Sequence, residues 1–449
     1  MKKFILIFSF LILQGALAKE VNLNTLINLG IKNNPSLKSK YYEYEKNKEF
    51  RKESFANFIL PKFSVESKYS YQDEKSLSIK AYLPVLNLTS SNPDTGLRVP
   101  YQFSFTFVPS FMYSWNFMIK EAISPALYQA YKISKKAENL SYYNYLNERN
   151  KLTDKISKAY FNYQKTYYGY KVAQSYLNLT SKLYKDAKYL YEKGLITKKD
   201  LYQAKYYYQK SIEALVKALN YRKISKAYLK NLVNFKLDKI KIIDVNSLAG
   251  KISKIKLKDE KYYYNLARKY NPIFPLLKEK EKLSYEKYHL EISKTLPNVF
   301  AFGGYVITNQ FASLGKVDYS TYGFGLSWEI GPNNIFSIVK EKKEILSTQY
   351  ENQNIKNLIS LDINQTLYNL KNNIYTIKAA QIKIKEAQEI YKMAKLKYKE
   401  GLATTKEVYD AIKDLNEAKN ELASGVCDFL INYYHLNYLT GFKLKPLLK

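Results

Sequence analysis

The chain has 449 residues, 46% hydrophobic and 16% aromatic, with 72 Lys and Arg against 40 Asp and Glu, a formal charge of +32. Such a charge raises nucleic acid or an anionic lipid surface as partners. The lysines, however, are scattered through helical stretches among Glu, Asn and Tyr, with no basic arm, which reads as a solvated helix surface rather than a nucleic-acid interface. The single cysteine, Cys427, excludes an intrachain disulfide and a cysteine-based metal site.

Residues 1–18 join Lys2 and Lys3 to an apolar run from Phe4 to Leu13 and end on Ala16-Leu17-Ala18, the make-up of a signal peptide. The mature chain is expected to start at Lys19 and to be exported. No later apolar stretch approaches the roughly 20 residues that a spanning helix needs. A membrane crossing would therefore require a closed β-barrel.

A short helix is expected over Leu26–Asn34, stopped at Pro35, and a second helix runs to about Leu60. Pro61 then leads into a strand near 62–72, where Phe63, Val65, Tyr69 and Tyr71 alternate with Ser64, Glu66, Lys68 and Ser70. Asp73–Arg98, with its Asn, Ser and two prolines, reads as a surface loop. From Tyr101 to Phe117 the odd positions are apolar and the even ones mostly polar or small. Period-two alternation with this many aromatics is the pattern of a lipid-facing barrel strand. At 17 residues it exceeds the roughly 9 to 11 needed to span, so Pro109 is placed for a bulge or the strand projects beyond the bilayer. A helix from about Lys120 to Lys193 follows, on the order of 100 Å long at 1.5 Å per residue.

Beyond a tip at Gly194 a second helix returns, and the first structural repeat closes at residue 237. Residues 238–258 form a linker. Residues 259–449 restate the plan: a short helix over Tyr264–Asn271 stopped at Pro272, a helix to about Leu296, strands near 298–307 and 320–331 around a loop at Thr308–Asp318, a helix from about Ile335 to Lys399, and a tip at Gly401.

The two halves share a stretch at a constant offset of 207 positions, from Tyr170/Ile377 to Leu237/Leu444. Along it large and small residues alternate at spacings of three and four, as in Tyr170, Ala173, Leu177, Thr180, Tyr184, Ala187 and, in the second copy, Ile377, Ala380, Ile384, Ala387, Tyr391, Ala394. That is a heptad seam. Gly194 and Gly401 sit where it breaks and restarts, and each can supply the left-handed residue that ends a helix. Thr197 and Thr404 then cap the returning helix, with Asp200 and Glu407 three residues on, as a capping box requires. Each unit is thus predicted to be a long antiparallel coiled-coil hairpin with a tight tip.

The copies differ on one face. Glu407, Asp410, Asp414, Glu417 and Glu421 are spaced three and four apart and form an acidic stripe beside the seam. Their counterparts are Asp200, Gln203, Tyr207, Lys210 and Ala214, so the stripe belongs to the second copy alone. A solvated outer face would carry the same spacing. Neither His289 nor His435 has a metal-spaced partner, and no Ser-His-Asp, phosphate-loop or dinucleotide pattern stands out. Both histidines read as ordinary helix residues; no enzyme, cofactor or metal is expected.

With a signal peptide, two structural repeats, paired strands and a Tyr-x-x-Gly-Leu-x-Thr-x-x-[Asp/Glu] tip in each half, the sequence resembles the TolC-type outer-membrane efflux proteins over essentially the whole mature chain. The resemblance implies an α+β membrane protein: a homotrimer in which four strands per protomer make a twelve-stranded outer-membrane β-barrel, continued by a coiled-coil helical tunnel into the periplasm. It implies a passive exit duct in outer-membrane lipid for efflux or type I secretion, whose tips dock onto a periplasmic adaptor (membrane fusion) protein coupled to an inner-membrane pump or ABC transporter. The docking positions would be Gly194, Leu195 and Thr197 in the first tip and Gly401, Leu402 and Thr404 in the second. Glu407 and Asp410 would form the aperture ring, favouring cations, and Asp200 and Tyr398 would be gate contacts. The family archetype's lock arginine falls at Ala403, and the Gly-Gly after the second strand of each half is missing after Trp115-Asn116-Phe117 and Trp328-Glu329-Ile330. Two further readings stay open: a structural or adhesive surface protein with a coiled-coil stalk, and a periplasmic scaffold without a barrel.

Overall fold

A computed structural model describes residues 20–71, 76–84, 98–106, 111–309 and 316–448, with backbone alone for 76–84, 98–106 and 111. The expected signal peptide at 1–18 and most of the expected loop between the last two strands lie outside the described residues. The chain falls into two compact units: Met1–Glu45, Asn139–Glu279 and Gln349–Lys449 in one, Lys46–Glu138 and Lys280–Thr348 in the other.

In chain order the elements are α1 (Leu23–Asn33), α2 (Pro35–Ile59), β1 (Lys62–Tyr71), β2 (Ser76–Pro84), β3 (Arg98–Thr106), β4 (Phe111–Ile123), α3 (Pro125–Glu192), α4 (Lys198–Val233), α5 (Val245–Ile252), α6 (Glu260–Tyr270), α7 (Ile273–Ser293), β5 (Asn298–Thr308), β6 (Val317–Ser327), α8 (Pro332–Lys399) and α9 (Thr405–Leu439). The two longest helices, α3 and α8, are 68 residues each. Among the described residues three helices begin on proline, at Pro35, Pro125 and Pro332. There the absent N–H is one the first turn leaves unpaired and the fixed φ already suits the helix.

The helical unit repeats one anchoring device. Asn34 and Asn271 end α1 and α6 in extended backbone, with ψ of 121° and 125°, the conformation imposed on a residue before proline. Each uses its carboxamide twice. Asn34 Oδ1 accepts from Leu37 N (3.1 Å) and Nδ2 donates to Leu232 O (3.0 Å) at the end of α4. Asn271 Oδ1 accepts from Ile273 N (3.0 Å) and Nδ2 donates to Leu439 O (3.0 Å) at the end of α9. Leu232 and Leu439 are equivalent under the 207-residue offset, so both hairpins are tied down at the same place.

The main core gathers Ile156, Tyr160 and Phe161 of α3, Leu229 and Val233 of α4, Ile363, Leu370 and Ile377 of α8, and Phe429 and Leu430 of α9, none more than 2% exposed. Cys427 lies among them, and burial pushes its thiol up to about 12, out of reach of ordinary thiolate chemistry. Within the 238–258 linker, Lys241 O accepts from Tyr160 Oη (2.9 Å) and Gln164 Nε2 (2.8 Å), which fastens the linker to α3.

The other unit carries a four-stranded antiparallel sheet in the order β1-β4-β5-β6. Its register pairs Val65 with Phe117, Ile123 with Val299 and Val299 with Leu326. Directly opposed residues share a face. That places Phe63, Val65, Trp115, Phe117, Ile119, Ile123, Val299, Tyr322, Phe324 and Leu326 together. The face is open: Phe63 is 67% exposed, Ile123 70%, Tyr322 87% and Phe324 89%. The opposite face carries Glu66, Lys68, Asn116 and Lys120 on β1 and β4, while on β5 the rings of Phe300 and Phe302 lie over Gly325 and Gly323. A Cβ at those glycines would come within 2.5 and 2.9 Å of the rings.

Two expectations change. Of the run from Tyr101 to Phe117, β3 and β4 are described, and β2 meets β3 in the same register by which β1 meets β4, with Tyr71 opposite Phe111 and Ser76 opposite Thr106. Residues 107–110, with Pro109, lie outside the described residues. The segment read as loop from Asp73 to Arg98 therefore holds β2, whose register sets Leu77 against Phe105 and Ile79 against Phe103. Alternation reports which way residues face, not which strand is the partner. In addition, α3 starts at Pro125 rather than near Lys120, because Ile119 to Ile123 still pair with Val299 to Gly303.

Candidate functional site

Both tips are built from the same atoms. Gly194 and Gly401 have φ of 75° and 73°, the left-handed region that a side chain disfavours. Gly194 N donates to Tyr191 O (2.9 Å) and Leu195 N to Leu190 O (2.9 Å); Gly401 N donates to Tyr398 O (3.2 Å) and Leu402 N to Lys397 O (2.8 Å). This pair of bonds closes the last turn of α3 and of α8. Such a turn commonly tucks its following apolar residue against the helix, yet Leu195 and Leu402 are 70% and 73% exposed.

The caps diverge. Thr197 Oγ1 accepts from Asp200 N (3.2 Å) and Asp200 Oδ2 accepts in return from Thr197 N (3.2 Å), a full capping box. Thr404 Oγ1 accepts from Glu407 N (3.3 Å) and donates to the Glu407 carboxylate (3.0 Å), as Thr197 Oγ1 donates to Asp200 Oδ2 (2.6 Å). The second tip thus has the forward cap without the reciprocal backbone bond.

Beneath the tips lies a small core of Leu183, Tyr207, Tyr398, Val408, Tyr409 and Ile412. Tyr207 of α4 stacks on Tyr409 of α9 with centroids 3.5 Å apart and planes 5° from parallel, and Tyr176 Oη of α3 donates to Tyr409 Oη (3.0 Å). Tyr398 is buried and its hydroxyl meets Thr405 Oγ1 (3.2 Å). Burial, with smaller contributions from Asp186 and Asp200, raises the Tyr398 phenol above its ordinary value. Asp200 and Tyr398 are therefore electrostatic neighbours, while their hydrogen bonds go to Thr197 and Thr405. Ala403 packs against this core instead of supplying a cation.

The acidic stripe of α9 is solvent-facing: Glu407, Asp410, Asp414 and Glu417 are exposed and Glu421 half-buried. Lys413 pairs with Glu417 (3.7 Å) and Lys383 with Glu421 (3.0 Å), so lysines compensate the end of the stripe farther from the tip. The Asp410 charge is among the causes, after burial, that raise the Tyr207 phenol. The stripe and the tip core thus share one side of the hairpin.

A second stripe escaped the sequence reading. On α8, Leu361, Tyr368, Tyr375, Ile382 and Leu396 fall on a seven-residue series and are 61% to 71% exposed. On α4, Tyr202, Tyr206, Val216, Ile224 and Tyr228 are each more than half exposed. The first set could have been found from its period, but the inner seam at Ile377, Ala380 and Ala387, all buried, with Ile384 half-buried, accounts for that helix on its own.

No family model and no curated protein matches the sequence. Solved structures do match the fold. The CmeC outer membrane channel of Campylobacter jejuni is 15% identical with a TM-score of 0.72, covering 94% of this chain and 85% of that one. The outer membrane protein VceC of Vibrio cholerae is 13% identical with a TM-score of 0.70, over 94% and 97%. CusC, whose structures concern folding and transmembrane channel formation, is 14% identical with a TM-score of 0.70, over 93% and 92%. At these identities the likeness establishes the fold: this chain has the fold of outer-membrane channel proteins along nearly its whole length.

Proposed function

We propose that the chain is the outer-membrane exit duct of a tripartite efflux or type I secretion system, a TolC-type homotrimer that conducts passively. The observation that carries this reading is the four-stranded sheet, whose apolar face is exposed and whose outer strands, β1 and β6, have no further partner among the described residues. An apolar face of this size calls for lipid or protein. Open edges cannot stand in a bilayer, so copies must join edge to edge until the sheet closes. Three copies give a twelve-stranded barrel, and three is the number the resemblance supplies. The exposed stripes of α4 and α8 are the matching surfaces by which helices of neighbouring copies pack.

In this reading the tips face the periplasm and present Leu195 and Leu402 to the hairpins of an adaptor coupled to an inner-membrane pump or ABC transporter. Glu407 and Asp410, with Asp414, line the narrow end of the duct. Three copies concentrate negative potential there and favour cations.

Electron microscopy of the detergent-purified protein tests the architecture: a threefold assembly with a short barrel is expected, and isolated rods would sink the proposal. Planar-bilayer recording tests the conduit. Steady conductance with cation preference is expected, and E407A with D410A should weaken that preference; unchanged selectivity in the double variant would remove the two acids from the aperture. L195D with L402D should leave the trimer intact and abolish capture of the adaptor.

A further inference from the structure

His435, read from the sequence as an ordinary helix residue, stands at the centre of a charged cluster that joins three helices of the helical unit. Its Nδ1 lies 3.1 Å from Asp154 Oδ2 of α3, and its Nε2 lies 3.2 and 3.1 Å from Oδ1 and Oδ2 of Asp362 on α8. Lys158, one turn beyond Asp154, reaches Asp154 Oδ2 at 2.8 Å and His435 Nδ1 at 2.9 Å. The Asp154 and His435 side chains are 8% and 15% exposed, Lys158 36% and Asp362 44%. Tyr438 of α9 stacks on the imidazole at 5.7 Å, and Thr366 Oγ1 stands 3.5 Å from Asp362. Glu148, the next acid along α3, is held by Lys151 (2.7 Å).

A neutral imidazole has one N–H and can satisfy one carboxylate as donor; here both ring nitrogens face carboxylates. The charge balance points the same way. Two aspartates against one ammonium leave a net negative charge around a ring that is itself mostly out of water, which an imidazolium cancels. The neutral ring has a defined alternative. It can keep Nε2–H on Asp362 and accept at Nδ1 from Lys158, which loosens the tie to Asp154. Burial alone would lower the His435 pKa, but the hydrogen bonds to Asp154 and Asp362, with the Asp154 charge, overcome both burial and the opposing Lys158 and raise it from 6.5 to about 9. Asp362 moves downward: burial would raise it, and the bond to His435 with the charges of His435 and Lys158 more than offsets that.

We propose that His435, Asp154, Asp362 and Lys158 form a proton-dependent clamp between the structural repeats, in which the imidazolium pins α3 of the first repeat to α8 and α9 of the second. Because the folded value lies above that of a free imidazole, the clamp's contribution is complete below about pH 6.5. It fades as pH climbs from there and is gone above about 9. The clamp is therefore fastened in mild acid and eased in alkali. It concerns the wall of the helical unit and holds whether or not the chain conducts.

The test uses the full chain in detergent with 15N-labelled histidine. The chain has two histidines, so H289Q leaves one imidazole to follow. Both ring nitrogens should be protonated at neutral pH, with a titration near 9 that falls by a unit or more in D362N. A titration near 6.5, or one unmoved by D362N in a folded protein, overturns the clamp. Thermal unfolding supplies a second readout. H435Q should lower the melting temperature more at pH 6 than at pH 9.5, whereas an equal deficit at both would mean that the residue merely fills space.

Discussion

The return helices α4 and α9 leave the same kind of turn and end on the same kind of anchor, yet one is enclosed and the other is not. Along its 36 residues α4 buries Ala204, Tyr207, Ser211, Leu229 and Val233. Along its 35 residues α9 buries nineteen, from Thr405 through Phe429 to Leu439. The glycine geometry, the threonine caps and the asparagine anchors are held in common. The copies diverge in what each helix presents sideways: α4 keeps Tyr202, Tyr206, Val216, Ile224 and Tyr228 open, while α9 turns almost every apolar residue inward and leaves an acidic edge outside. The two hairpins share the local chemistry of the turn and differ in their faces, one return helix serving as the hub of the core and the other keeping an open apolar rim.

The largest effect that could break this comparison comes from cutting each helix at a large apolar residue. F429A removes a ring that is 0% exposed and should cost about 3–5 kcal/mol, because the void is lined by packed side chains that cannot collapse into it. I224A removes a group that is 65% exposed and should change the stability of the isolated protomer by less than about 0.5 kcal/mol. In the trimer proposed above the same I224A should promote dissociation, since stability there is inseparable from association. Chemical denaturation read beside sedimentation separates the two. Equal losses from both variants in a monomer would show that α4 is as enclosed as α9.

A smaller effect probes what the hairpins share. Nothing lies within 4 Å of a Cβ built on Gly194 or Gly401, so G194A and G401A each carry only the strain of a left-handed backbone, about 1–2 kcal/mol. The penalties should match, and asparagine at either position should cost less than alanine. Hydrogen exchange in the last turn of α3 and of α8 reads each tip separately. Unequal losses would mean that the tips do not share one turn.

These common features were legible because they are local. A glycine between two heptad runs, a threonine with an acid three residues on, and an asparagine before proline each constrain a few consecutive dihedrals, and each occurs twice, the tips 207 positions apart and the Asn-Pro pairs 237. Strand faces were legible for the same reason, since Phe63, Val65 and Tyr322, Phe324, Leu326 announce their side by alternation. What the reading missed depends on partners distant in the chain. The alternation of β4 shows its faces, and only the backbone register shows that its two neighbours are β1 and β5 and that β2, inside a segment read as loop, pairs with β3. The Tyr207–Tyr409 stack and the cluster of Asp154, Asp362 and His435 each join residues from different helices, which no spacing rule brings together. The outer stripe of α8 was visible as a period, but a helix with two seams offers the inner one first.

The finest distinction lies in the caps, where the two copies begin to separate. In both tips the threonine hydroxyl bonds the acid three residues on, but only in the first does that acid also take the threonine's own amide, so two amides are met there and one in the second. T197A should destabilise the first turn of α4 by about 1 kcal/mol, and T404A should destabilise that of α9 by less, within the range of about 0.5–2 kcal/mol found for such caps. A double-mutant cycle sharpens the contrast. Thr197 and Asp200 should show clear coupling, because their side chains bond each other at 2.6 Å and hold the two amides as one unit. Thr404 and Glu407, joined by a longer side-chain bond (3.0 Å) without the second amide, should couple less. Strong coupling at the second tip would place Glu407 in the cap rather than at the aperture, and Asp410 would then hold the acidic edge alone.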